Sequence, residues 1–335
     1  MDKTATRPRL HYIDVIKGIL ILIVVAHHVQ GLLRDFSLIP KETVWIENIY
    51  VPFFMCGFFV VTGFCSSFKH DTLSFIKRNV KQLILPGFIF GFIVASTNNF
   101  LSGKVDALVI GPLATAFFKG GAWFLAALFF SKIILYFVKK RVSSLKMQLI
   151  VVLAFLLLAS VASTLHIFEI FSIYHAFGLL FYLWVGASIY LFAEKIRITP
   201  PHLYLLSLIV YLLYVFFLIY FDMHLPRITS SLSLYPWELP FYIIGGLTGT
   251  YIIWYVGKKI SNNRMLEYLG KNSLIIYLTH WIILKAIIVC SINFEIEILN
   301  QPFIYGCCLF VIATTLSCLL ARLFSIPKLK WILGK

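Results

Sequence analysis

Ten runs of about 20 mostly apolar residues occupy most of this chain, at 11–32, 45–67, 83–101, 121–138, 147–165, 171–192, 202–221, 238–257, 268–291 and 302–325. Each is long enough to cross a bilayer as a helix. In lipid the backbone polar groups must pair within helices or a closed barrel, and apolar runs this long specify helices. The expected fold is an all-α polytopic membrane protein with about ten transmembrane helices in one bundle, a single domain over residues 1–335. Composition agrees, with 60% apolar and 13% charged residues, against about half and a quarter in soluble domains. A further apolar stretch, 107–118, is short and broken by Gly111 and Pro112. It is expected to be re-entrant or interfacial rather than spanning.

The formal net charge of +15 does not indicate a nucleic-acid partner, because the cations sit in short clusters between the apolar runs. With both termini cytoplasmic, the inner segments hold nineteen Lys and Arg and the outer ones five (Arg34, Lys41, Lys104, Lys119 and Arg227). That asymmetry predicts N- and C-termini inside and an even number of spans. The first run follows Lys3, Arg7 and Arg9, but it is long, contains polar residues and precedes no small-residue cleavage site. It reads as an uncleaved span. Trp45, Tyr50, Trp184, Trp237 and Trp254 recur near span ends as expected interfacial anchors. The pairs Gly87/Gly91 and Gly245/Gly249 have the spacing that lets helices approach closely. The six cysteines lie in apolar segments without a CxxC pair, so they are expected to be free and buried, with no metal site.

Ionisable residues inside spans are unfavourable in lipid, so each is a functional candidate. The first span carries Asp14, Lys17, His27 and His28. Residues eleven apart differ by about 20° around a helix, so Lys17 and His28 share a face, while His27 is turned about 100° from His28. Eleven residues rise about 16 Å, which excludes a contacting Lys17–His28 dyad and suggests two depths of one channel. Asp14 is placed to pair with Lys17. A second focus is the ninth span, with Asn272, Ser273, Tyr277 and His280; the last three share a face. Lys132 and Lys285 lie within spans and need a partner or a cavity, and His175 reads as a core histidine. Asp222, His224, Arg227 and Glu238 cluster in an outer loop and read as solvated, with contact to an acceptor substrate as the alternative. No GxSxG, P-loop, HExxH or dinucleotide fingerprint occurs.

Several segments, in order, resemble the acyltransferase-3 family of integral membrane acyltransferases, and its fucose 4-O-acetylase-like branch in particular. YIDVIKGILILIVVAHH is similar to the opening motif, a basic residue and a His separated by ten positions, here Lys17 and His28. FFMCGFFVVTGF resembles the second-span signature, with Phe54 where the family has His. FIKRNVKQLILPG resembles the basic loop entering the third span, with Lys77, Arg78, Lys81 and Pro86. AWFLAALFF is similar to the WFLxxLF signature that begins with Trp123, and YLGKNSLIIYLTH to the late motif carrying Asn272, Ser273, Tyr277 and His280.

The resemblance implies a multi-pass protein of a bacterial inner (cytoplasmic) membrane. It would move an acyl group, acetyl from acetyl-CoA foremost, onto a hydroxyl of a sugar in a surface polysaccharide or its lipid-linked precursor. His28 and His280 are then the expected catalytic pair, His28 as general base or acyl carrier. Asp14, Lys17, Lys77, Arg78, Lys81 and Trp123 are expected on the donor. Asn272, Ser273 and Tyr277 are expected to support the acceptor or the oxyanion. Acetyl-CoA enters as co-substrate, with no permanently bound cofactor. The rival reading is an exporter or flippase of a glycan or lipid-linked sugar, without acyl turnover.

Overall fold

The structure, a computed structural model, describes residues 10–68, 71–101, 103, 110–118, 122–167, 170–192, 200–229 and 232–334. Basic residues that entered the topology argument, including Lys3, Arg7, Arg9, Lys69, Lys104, Lys119, Lys195, Arg197 and Lys335, lie outside them.

The chain opens with α1 (His11–Asp35), followed by a 3-10 segment (Lys41–Ile49) and α2 (Val51–Cys65). Next come α3 (Thr72–Asn79) and α4 (Leu85–Leu101), joined through a π-helical turn (Val80–Ile84) into one 30-residue run. α5 (Ile110–Phe118), α6 (Trp123–Arg141), α7 (Leu145–Thr164), α8 (Ile173–Phe192) and α9 (Pro201–Tyr220) complete the first two-thirds. A short hairpin, β1 (Arg227–Ile228) with β2 (Leu232–Ser233), then leads to α10 (Leu239–Lys259), α11 (Arg264–Lys271), α12 (Ser273–Asn293) and α13 (Pro302–Leu323). Proline stands in the first turn of α2, α9, α10 and α13, where its missing N–H leaves no helical bond unmade.

Among the described residues eight helices are long and apolar enough to cross a membrane, or nine if the 3-10 segment and α2, bent by 42°, form one span. The bundle is therefore the all-α polytopic one expected, with corrections to individual spans. Run 45–67 does not form one straight helix, because Pro52 fixes the start of α2 at Val51. Run 121–138 is helical from Trp123 onward, but the 19 residues of α6 include Lys132, Lys139, Lys140 and Arg141 and are not an uninterrupted apolar span. Run 268–291 breaks at Asn272, whose side chain donates to the Tyr268 carbonyl and separates α11 from α12. α5 has nine residues, too short to span.

α1 is the central helix, packed against α2, α10, α11, α12 and α13. Its Leu20, Ile21 and Val25 are fully enclosed. α9 is peripheral: only Tyr211, Tyr214 and Leu218 are buried, while Leu205, Leu206, Ile209 and Leu212 are exposed on what would be a lipid face. Lipid tails are as apolar as leucine, so association depends on close backbone approach. The crossings use glycines that spacing alone did not single out. A β-carbon at Gly63 or Gly186 would overlap the facing backbone where α2 crosses α8, and one at Gly18 or Gly270 would do so where α1 crosses α11. Gly186→Ala is expected to destabilise the protein by about 1–3 kcal/mol. Gly31→Ala, where nothing lies within 4 Å, is expected to stabilise it by about 0.5–1 kcal/mol. Thermal midpoints in detergent check the opposite signs.

Other expectations need revision. Trp45 and Trp237 are exposed like anchors, but Trp254 is buried between Tyr12 and Phe64. Among the free cysteines only Cys56 is buried, and Cys65, Cys290 and Cys307 are exposed. Lys285 donates to Asn98 at 2.7 Å, and Lys132 lies 5.9 Å from the Phe75 ring, so both partly buried cations have neighbours that receive them.

Candidate active site

α1 and α12 pack side by side and bring together two histidines 252 positions apart. The rings of His28 and His280 have centroids 5.0 Å apart. Trp281 meets the His28 ring edge-on at 5.1 Å, and His27 lies 5.2 Å from it. All four border a cavity of about 420 Å³, whose wall includes Gly31, Phe90, Gly91, Trp123 and Tyr277. Phe90 and Gly91 come from α4, so three helices, the start of α6, the 3-10 segment and the hairpin enclose the space. His280 Nδ1 is 2.7 Å from the Ile276 carbonyl. A carbonyl only accepts, so in the neutral ring Nδ1 carries the hydrogen and Nε2 the free lone pair. That Nε2 is buried and has no hydrogen-bond partner among the described residues.

A charged group borders the same cavity. Glu47 is buried, and its two oxygens accept from Arg34 at 2.6 Å and from Arg227 at 3.2 Å. Arg34 is in the last turn of α1, Glu47 in the 3-10 segment and Arg227 in β1, so one carboxylate ties three elements together. A polar chain runs alongside it. His27 Nδ1 lies 3.2 Å from Tyr50 Oη, Tyr50 donates to Gln30 at 2.6 Å, and Gln30 donates to the Thr43 carbonyl at 2.8 Å. The hairpin is held in turn by α7 and α8: Ser163 Oγ bonds both the Leu232 carbonyl and the Leu234 N–H, and Ile228 packs over Gly178. Glu47→Gln replaces one acceptor oxygen by a donor amide facing an arginine. It is expected to destabilise the protein by about 3 kcal/mol, because it leaves partly buried charge uncompensated. Chemical unfolding in detergent measures the loss.

Against families of known proteins, a model described as an acyltransferase domain matches residues 10–322, most of the chain. The chain belongs to the acyltransferase-3 family. No curated protein and no solved structure matches it in the corresponding comparisons. Membership in a membrane acyltransferase family and the apolar helices together make this a multi-pass membrane acyltransferase.

In this acyltransferase the residues singled out from sequence fall into two groups. His28, His280, Tyr277 and Trp123 border one cavity. Asp14 and Lys17 lie at the other end of α1, 3.9 Å apart, and do not border it. Lys77 and Arg78 are in α3 and Lys81 in the π-helical turn, also away from the cavity, with Arg78 5.9 Å from the Phe75 ring. Asn272 and Ser273 form the α11–α12 junction and do not reach the cavity either. His175 is buried against Trp123, with ring centroids 5.1 Å apart.

Among the cavity residues that the sequence did not mark as site candidates are Arg34, Asp35, Glu47, Thr229 and Trp281. Of the outer-loop cluster, Glu238 is buried rather than solvated, and Arg227 is on the cavity wall, which fits the alternative of contact with an acceptor. Outer-loop charge suggests solvent, but a loop that folds back onto the bundle pairs its charges there. A signal for Arg34 did exist, since it follows His27 by seven positions and lies within about 20° of it around the helix.

Proposed function

We propose that this acyltransferase is an O-acyltransferase of the bacterial cytoplasmic membrane. It moves acetyl from acetyl-CoA to a hydroxyl of a sugar in a surface polysaccharide or lipid-linked precursor. The observation that carries the reading is the His28–His280 pair on one cavity, 5.0 Å ring to ring. With both termini cytoplasmic, as the positive-inside count favours, the cavity lies towards the outer face and Lys17 towards the cytoplasm. Lys17, Lys77, Arg78 and Lys81 then supply positive charge on the side from which an anionic cytoplasmic donor arrives. The donor's acyl end must bridge about 16 Å of helix rise to reach His28, and Trp123 and Tyr277 offer aromatic surface beside it.

In the reaction His28 takes the proton of the acceptor hydroxyl as its oxygen attacks the thioester carbonyl. The C–O bond forms, the C–S bond breaks, and the CoA sulfur leaves and receives a proton from His28. His280, with Nδ1 committed to Ile276, keeps its Nε2 lone pair available to the His28 ring or to the bound hydroxyl. The charged group of Arg34, Glu47 and Arg227 faces the acceptor side.

The test is reconstitution in liposomes with radiolabelled acetyl-CoA and membrane glycans, read by release of free CoA thiol and by mass spectrometry of the glycans. Thiol release coupled to an acetylated glycan is expected. Movement of a glycan across the membrane with no thiol release would replace the reading by that of an exporter.

A further inference from the structure

The segment between α9 and α10 holds a second cluster of reactive side chains. His224 Nδ1 lies 2.6 Å from Glu238 Oε1, and His224 Nε2 lies 2.7 Å from Ser233 Oγ. A carboxylate accepts, so the neutral ring keeps its hydrogen on Nδ1, and Nε2 accepts from the Ser233 hydroxyl. Glu238 is buried, and its second oxygen accepts the Tyr235 backbone N–H at 2.9 Å. The Tyr235 ring packs on His224 at 5.1 Å, and Trp237 stacks on Tyr235 at 4.9 Å. The carboxylate is thus fixed at both oxygens, and the imidazole is held by its two hydrogen bonds and by the tilted Tyr235 ring beside it. Hydroxyl, imidazole and carboxylate stand in sequence, each within hydrogen-bond distance of the next. This is the constellation that activates a serine on unrelated folds, recognised by geometry rather than by chain order.

Its position connects it with the cavity. Ser233 is paired directly with Arg227 across the hairpin. Residues paired this way project from the same face, and Arg227 borders the cavity. Ser233 is partly exposed and His224 is 40% exposed, so a substrate reaches both. The Arg227 guanidinium on that face supplies positive charge towards an oxyanion formed at Ser233.

We infer that Ser233, His224 and Glu238 form a second acyl-handling centre, a serine esterase site for short-chain acyl esters of sugar hydroxyls beside the mouth of the cavity. The substrate class rests on the proposed function; the nucleophile does not. Ser233 Oγ attacks the ester carbonyl, its proton passes to His224 Nε2, and the sugar oxygen leaves with that proton. Water then attacks the acyl-serine, gives one proton to His224 and releases the carboxylic acid as Ser233 recovers its hydrogen. Ester and water become alcohol and acid, with no other reactant. Such a centre trims acyl groups from the class of product that the cavity forms.

The full chain in detergent is treated with a fluorophosphonate probe, and the modified peptide is identified by mass spectrometry. In parallel, p-nitrophenyl acetate hydrolysis and labelled acetyl transfer from acetyl-CoA are measured. The wild-type protein is expected to carry the probe on Ser233. Ser233→Ala and His224→Ala are expected to lose labelling and to reduce hydrolysis at least about 100-fold, while Ser233→Ala keeps acetyl transfer. Glu238→Gln is expected to lower kcat for hydrolysis about 1,000-fold or more with KM unchanged, the signature of an imidazole held in the wrong tautomer. An unlabelled Ser233 in the wild-type protein, or hydrolysis unchanged in Ser233→Ala, would overturn the esterase site and leave the proposed function standing. Loss of acetyl transfer in His28→Ala with hydrolysis intact separates the two centres. Loss of both activities in Ser233→Ala would also overturn the inference, because it would merge them.

Discussion

His28→Ala is expected to lower acetyl transfer from acetyl-CoA by about 10²–10⁴-fold, with membrane insertion and thermal midpoint close to wild type. The size follows from the role. A positioned general base is worth that much, and the neighbouring imidazoles are held elsewhere, His27 beside Tyr50 and His280 through Nδ1 against the Ile276 carbonyl. Stability should hold because the His28 ring borders an open cavity rather than filling a closed core. His27→Ala makes the informative contrast. His27 is one position away, but it reaches Tyr50 at 3.2 Å within the chain that ties α1 to the 3-10 segment. Its loss should weaken stability more than catalysis. Initial rates in liposomes, alongside thermal unfolding of the same preparations, separate the two effects. A His28→Ala protein that is folded and fully active would remove the chemical centre proposed for the cavity.

The pattern of success in reading the chain has a physical cause. Membrane helices are written plainly, because lipid forbids unpaired backbone and so forces long apolar runs into helices. The exceptions come from local chemistry: Pro52 starts α2 late, Asn272 splits the ninth run, and the cations of α6 spoil its apolar continuity. His28 and His280 were legible because a histidine in an apolar helix contradicts its surroundings. Their contact was not, since nothing in either helix alone says that α1 packs on α12. The Arg34–Glu47–Arg227 group was less legible still. Its members come from three elements, two of them short and outside the main spans, and each alone resembles an ordinary outer-loop charge. Helical projection shows that Lys17 and His28 share a face, but face-sharing is not proximity. The structure keeps Lys17 with Asp14 at the far end of α1 and leaves the cavity to α1, α12, α4, the start of α6, the 3-10 segment and the hairpin.

Whether the two cavity histidines act as one unit is decided by substitutions at His280 that distinguish its nitrogens. His280→Asn places an amide near the Nδ1 position and can still donate to Ile276, but offers nothing where Nε2 was. His280→Gln reaches the Nε2 position with an amide oxygen that accepts. If the Nε2 lone pair serves the reaction, His280→Asn should lose about 100-fold in acetyl transfer, and His280→Gln should retain clearly more. Combining His280→Asn with His28→Ala should then cost little beyond His28→Ala alone, because groups acting as a unit are strongly non-additive. Steady-state rates for the two singles and the double close this cycle. Multiplying effects would mean that His280 contributes independently of His28, for example by shaping the acceptor pocket. Equal losses in the Asn and Gln variants would mean that the ring's packing against His28, 5.0 Å away, matters rather than its lone pair. The coupled outcome is the expected one, since Nε2 is buried and has no hydrogen-bond partner among the described residues, with the His28 ring beside it. A buried acceptor of that kind is unfavourable to keep unless the reaction uses it.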